Sequence, residues 1–232
     1  MRKLKIRLVL YSTLFILFLT VSGSANAQDD ATIKRGLFGF RFMPTITSLD
    51  IQTADGGEVS GSASLGFGTG IFLGYNFNNN IGVQAELMYT SISQKYIDLG
   101  EEQVINLRYV NVPILLSLNT GKLKPINFNV VAGPQLGFNV GSSLTKSTPD
   151  IIDTPEPILS VKKGDLGFAY GAGVDFGLDV ERNIRLGLGY RGVFGLLDVS
   201  DTSNSLTTDA YYVLDRSSVK THSAYIGLSI LF

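Results

Sequence analysis

The sequence predicts an all-β protein: an eight-stranded antiparallel up-and-down transmembrane β-barrel. Three observations point there. Large apolar side chains recur at every second position in eight separate stretches, which is the period of a strand. The positions between them hold glycine, alanine or small polar residues, whereas a soluble exterior would intersperse many charges. The connections alternate between short turns and mostly long polar segments, as expected when antiparallel strands place every other connection on the same rim.

The chain opens on a leader. Arg2, Lys3, Lys5 and Arg7 precede the apolar run "LVLYSTLFILFLTV", and "SGSANAQ" follows with Ala25 and Ala27 in a small-residue cleavage pattern. This predicts a secretory signal peptide, residues 1–27, cut after Ala27, ahead of one barrel domain at 28–232. The apolar run is shorter than the ~20 residues of a spanning helix, and with no cysteine in the chain a lipoprotein anchor is excluded. Losing the four basic residues moves the formal net charge from −1 to −5, which does not suit a nucleic-acid partner. No cysteine also means no disulfide and no thiol catalysis. At 17% charged residues and 26 glycines the composition is unlike that of an ordinary soluble enzyme.

The strands follow in order. Residues 35–45 carry Phe38, Phe40 and Phe42 on the apolar face, and 63–77 carry Leu65, Phe67, Ile71, Leu73, Tyr75 and Phe77. Next, 81–95 presents Ile81, Val83, Leu87 and Tyr89, and 104–118 presents Val110, Val112, Ile114, Leu116 and Leu118. The fifth, 126–140, shows Ile126, Phe128, Val130, Leu136, Phe138 and Val140. The sixth, 165–180, alternates Leu166, Phe168, Tyr170, Val174, Phe176, Leu178 and Val180 with glycine, alanine and aspartate. The seventh, 184–198, carries Ile184, Leu186, Leu188, Tyr190 and Phe194; the last, 218–232, ends on Ile226, Leu228, Ile230 and Phe232. Short turns are expected at 78–80, 119–125 and 181–183, and longer connections at 46–62, 96–103, 141–164 and 199–217. Each strand is long enough for a tilted crossing, which takes roughly 9–11 residues.

Alternation alone does not say which face meets which medium. The second face holds glycines such as Gly66, Gly70, Gly133, Gly187 and Gly189 with Gln84, Asn127, Asn129 and Gln135. That suits a narrow polar lumen, so the apolar face points to lipid. In lipid only a closed barrel satisfies this many strands. Charges on the inner face then need partners. Folding 165–198 about "ERN" sets Asp179 opposite Arg185 and Asp175 diagonal to Arg191, with Arg41 and Glu86 on the same inner face. These six residues are expected to form a structural lumen network. An eight-stranded barrel is filled by its own side chains, which disfavours a narrow channel. Pro113 and Pro134 lie inside strands, where bulges are expected.

Other motifs carry little. "GLGYRG" at 187–192 spells a dinucleotide fingerprint, but mid-strand and with no helix after it. His222 is the single histidine. A lipid-modifying hydrolase would need a serine beside it on the same face, and positions 220 and 224 are Lys220 and Ala224, while Ser223 points the other way. A zinc ligand set is lacking. Loop acids Asp50, Asp55, Glu58, Asp150, Asp153 and Glu156 match no calcium-loop spacing. No cofactor is expected. The loops at 141–164 and 199–217 hold apolar clusters, Ile151–Ile152, Ile158–Leu159 and Tyr211–Leu214, within polar sequence. They pack on one another as strand extensions or bind a partner.

"YVNVPILLSL" (109–118), "GPQLGF" (133–138), "DLGFAYGAGVDF" (165–176), "LGYRGVFGLLDV" (188–199) and "AYIGLSILF" (224–232) together resemble the PorT-like family of small outer-membrane barrels of Bacteroidetes-type bacteria, over essentially the whole mature chain. The resemblance implies an outer-membrane location and an eight-stranded barrel, with a link to protein secretion through the founding member and no catalytic motif to carry over. Phe232 resembles the terminal aromatic that serves as a barrel-assembly signal. The expected function is therefore a non-enzymatic envelope structural or interaction role. The expected partners are outer-membrane lipid, the barrel-assembly machinery through the C-terminal strand, and an envelope or secretion protein; a monomeric barrel is expected. The alternatives are a membrane-embedded lipid-modifying enzyme, a narrow channel and, last, a soluble ligand-binding barrel.

Overall fold

The computed structural model describes residues 33–52, 58–60, 64–98, 101–146, 156–158, 162–197, 210–212 and 216–232. The predicted leader, residues 1–27, lies outside them. The strands are β1 (Gly36–Gln52), β2 (Glu58–Ser60), β3 (Ser64–Asn76), β4 (Ile81–Asp98), β5 (Glu101–Asn119), β6 (Ile126–Lys146), β7 (Glu156–Ile158), β8 (Gly164–Gly177), β9 (Ile184–Gly195), β10 (Ala210–Tyr212) and β11 (Arg216–Leu231). The eight long ones pair antiparallel in chain order, and β11 pairs with β1, so the sheet closes on itself. At the seam the Gly36 N–H donates to the Phe232 carbonyl at 2.8 Å and the Phe232 N–H to the Gly36 carbonyl at 3.0 Å. Closure pairs each of the eight long strands on both sides. This is the predicted eight-stranded antiparallel barrel.

The strands run further than expected at the loop rim. β4 extends to Asp98 and β5 starts at Glu101, so the predicted connection 96–103 shrinks to residues 99–100. β1 likewise continues to Gln52 and β6 to Lys146. Backbone pairing needs no apolar side chain, and polar residues prolong a ladder above the apolar belt as readily as apolar ones do within it.

Outward positions form that belt. Phe40 is 52% exposed, Leu73 58%, Leu116 51%, Phe128 62% and Leu228 53%. The inward positions of the same strands are buried: Arg41, Phe72, Leu115, Asn129 and Gly227. Glycine on the inner face makes room for large side chains arriving from neighbouring strands. A Cβ on Gly189 would stand 2.6 Å from the Tyr225 ring, and one on Gly173 would meet the Tyr225 hydroxyl. The face that looked empty is therefore occupied. Replacing Gly173 by valine is expected to destabilise the barrel by about 1–3 kcal/mol through overpacking. Unfolding in urea measures it, and Gly173→Val combined with Tyr225→Ala should recover part of the loss.

The prolines behave differently from expectation. Pro113 faces Gln135 and Pro134 faces Phe168 with no register shift at either position. Instead the β4–β5 ladder pauses between Ala85–Ile114 and Met88–Asn111, and the β5–β6 ladder between Pro113–Gln135 and Leu116–Ala132. A missing donor removes a ladder bond without requiring an extra residue. The β5–β6 register does shift elsewhere, at Arg108/Tyr109, where Val140 is the additional residue.

Candidate functional site: a bridged lumen

Glu86 on β4 and Arg191 on β9 lie four strands apart in either direction round the barrel, so they face each other across its diameter. Arg191 donates from both Nη atoms to Glu86, at 2.9 Å to Oε1 and 3.2 Å to Oε2. Arg41, on β1 midway between them, donates from Nη1 to Glu86 Oε1 at 2.5 Å. Its guanidinium is sandwiched between the rings of Phe72 and Tyr225, 4.5 and 4.4 Å from the centroids, an arrangement that further stabilises a cation. Gln84 adds a fourth donor to Glu86. All three charged side chains are buried. Paired, they span the middle of the lumen.

The other three charged residues are arranged differently from the prediction. The β8–β9 register sets Gly177, not Asp179, opposite Arg185, and Gly171, not a position near Asp175, opposite Arg191. The cause is a longer turn. Asp179 leaves the strand, its carboxylate accepting the Ile184 N–H at 2.8 Å and its carbonyl the Arg182 N–H at 3.1 Å, with Arg182 at φ 60°. The side-chain oxygen of an aspartate satisfies such a turn locally, and the register moves by two residues. Arg185 instead donates to backbone carbonyls, Lys124 and Asp175 at 3.0 Å each and Arg182 at 3.3 Å, tying two turns together. The Asp175 carboxylate accepts from Asn127 and Asn129 at 3.0 and 2.9 Å.

Two groups important to the lumen escaped sequence reasoning. Lys122 sits in a turn whose composition suggests exposure, yet it is buried; Gly121 at φ 149° bends the chain so that it turns inward. Burial pushes its ammonium below the ordinary value, Asp175 opposing and Arg185 and Arg41 adding repulsion. Tyr225 was detectable: it is the aromatic of inward parity in the last strand, facing strands whose inner positions are glycine. The bridge separates two cavities. The inner one, near the turn rim, is about 30 Å³ and is lined by Arg41, Lys122, Asp175, Arg185 and Arg191 among others. The outer one is about 50 Å³, with Tyr109, Asn111, Asp165 and Ser223 in its wall.

On the outer surface aromatic side chains gather at two heights. Tyr75, Phe77, Phe128 and Phe232 lie towards the turn rim; Phe67, Tyr89, Phe168, Tyr170, Tyr190 and Phe194 lie towards the loops, several in ring contact at 5.5–6.4 Å. Such girdles mark the two membrane interfaces of a barrel. His222 belongs to the upper one, its Nδ1 2.5 Å from the Tyr190 hydroxyl. Ser223 is inside the barrel, 2.8 Å from Thr45 Oγ1. The adjacent serine and histidine thus face opposite sides of the wall and cannot act on one another. Among the described residues no three His, Asp or Glu side chains converge on a metal position.

Among the described residues of the outer loops, β2 pairs antiparallel with the end of β1, and β7 pairs with β10. Residues of β7 and β10 run parallel, Glu156 beside Ala210, Pro157 beside Tyr211 and Ile158 beside Tyr212. The clusters expected at Ile151–Ile152, Leu159 and Leu214, and the acids Asp55, Asp150 and Asp153, lie outside the described residues.

Residues 26–201 match the family model described as outer membrane protein beta-barrel domain. The chain belongs to this family. The barrel is accordingly an outer-membrane protein, its apolar belt facing lipid. It is similar to the crystal structure of neisserial surface protein A, at 14% identity over 84% of this chain and 97% of that one, TM-score 0.47. It is also similar to Ail, the attachment invasion locus protein of Yersinia pestis, crystallised with the heparin analogue sucrose octasulfate: 15% identity, 84% and 99% coverage, TM-score 0.41. A third is AlkL, an outer-membrane protein determined by solid-state NMR in DMPC bilayers: 13% identity, 90% and 96% coverage, TM-score 0.45. No curated protein matches the sequence.

Proposed function

We propose that this outer-membrane barrel is a non-enzymatic envelope protein of the PorT-like kind, serving as a structural or interaction component of a protein-secretion or surface-assembly system. The parallel pairing of Glu156–Ile158 with Ala210–Tyr212 carries this reading. It joins two loops distant in sequence into one feature on a rigid scaffold, where binding residues usually lie. The Glu86–Arg191 bridge across the lumen weighs against a channel, and the separation of His222 from Ser223 weighs against a lipid hydrolase. Phe232, exposed at the end of the closing strand, serves as the assembly signal read by the barrel-assembly machinery.

Cross-linking in intact cells with a loop-tagged copy, followed by detergent extraction, tests the proposal. One specific protein should be recovered and lost when 141–164 or 199–217 is replaced. Recovery of the barrel alone would overturn it. His222→Ala should leave the lipid A and phospholipid profiles unchanged; a changed profile would revive the enzyme alternative.

A further inference from the structure

The inner cavity concentrates positive charge. Arg41, Arg185, Arg191 and Lys122 line it, each no more than 7% exposed, and the carboxylate in its wall is Asp175. Glu86, behind Arg41 and Arg191, brings a second negative charge. Four cations thus meet two anions among the described residues. The turn beyond contributes Asp179 and Arg182, one charge of each sign. Asp165 does not line this cavity; it stands in the wall of the outer one.

Hydrogen bonding shows the same excess. The Nε atoms of Arg41, Arg185 and Arg191 are buried without a protein acceptor. Lys122 has no carboxylate within ion-pair distance among the described residues. The Asp175 carboxylate is engaged by two asparagines. Uncompensated buried cations and unused buried donors are both costly, and one species answers both: a small anion. A volume of about 30 Å³ exceeds the ~10–15 Å³ that holds a single water and suits a monatomic guest.

We propose that the inner cavity is a binding site for a small inorganic anion of the halide class, held among Lys122 and the guanidinium groups of Arg41, Arg185 and Arg191. The site lies on the turn side of the central bridge, so the anion approaches from the periplasmic rim past the 120–125 turn.

Bromide is the probe. Crystals of the full barrel, purified in detergent with gluconate as the sole anion and then soaked in bromide, should show an anomalous peak among these four side chains. Lys122→Met should abolish it while the folded barrel keeps its heat-modifiable migration on gels. In solution, replacing gluconate by bromide at constant ionic strength should raise the unfolding midpoint of the native barrel. Asp175→Asn, which removes a competing negative charge, should enlarge that rise and provides the test if Lys122→Met fails to assemble. Overturning results are no peak in this cavity, a peak that survives Lys122→Met, peaks only on the outer surface, or an Asp175→Asn response no larger than the native one.

Discussion

Replacing Glu86 by alanine is expected to cost the barrel about 3–5 kcal/mol, the usual penalty for leaving buried charges without their partner. The substitution strips Arg191 of both its acceptors and Arg41 of its ion pair, and it leaves two guanidinium groups facing each other inside a closed wall. Urea unfolding in lipid vesicles, followed by the gel shift of the folded form, reads the loss. Arg191→Ala alone should also destabilise. The double substitution should cost clearly less than the two single losses together, because the second change removes one of the charges stranded by the first. A Glu86→Ala barrel within about 0.5 kcal/mol of the native one, the range of an inconsequential surface change, would show that the bridge does not hold the lumen together. A gain of ion conductance in Glu86→Ala would accompany the loss if the bridge also closes the path.

The second large effect concerns the other face. Leu188 points outward near the middle of β9, beside Val174 and Ile226 on the adjoining strands. Leu188→Arg should cost about 2–4 kcal/mol in a bilayer, the penalty for arginine on the lipid face at the midplane. The same change near a rim, at Phe194, should cost no more than about 1 kcal/mol. Equal costs at the two heights would contradict the placement of the apolar belt. A soluble barrel with its apolar face inward would instead bury both sites and be strongly destabilised by arginine at each.

The two faces are unequally legible in the sequence, and physics explains why. Along one strand a side chain's direction follows from its parity, so Phe38, Phe40 and Phe42 declare an outward face without reference to any neighbour. Register is a relation between strands. It depends on how many residues a turn takes up, and one aspartate decided that at 178–183. With the Asp179 carboxylate drawn to the Ile184 N–H, every pair inferred across that hairpin shifts by two. The proline bulges failed for a similar reason: a lost donor shows in sequence, but not whether the chain answers with a gap or an extra residue.

By itself the sequence determined a closed eight-stranded barrel, its apolar exterior and its polar, glycine-lined interior, because each follows from alternation and from the backbone's need for partners in lipid. Only the tertiary structure decided which charges meet. Glu86 and Arg191 are 105 positions apart in the chain and become partners because closing the sheet sets β4 opposite β9. Lys122 turns inward because a glycine redirects its turn. Tyr225 fills the space that glycines on β8 and β9 leave open. Such contacts depend on the diameter of the barrel and the stagger of its strands, which belong to the closed sheet as a whole.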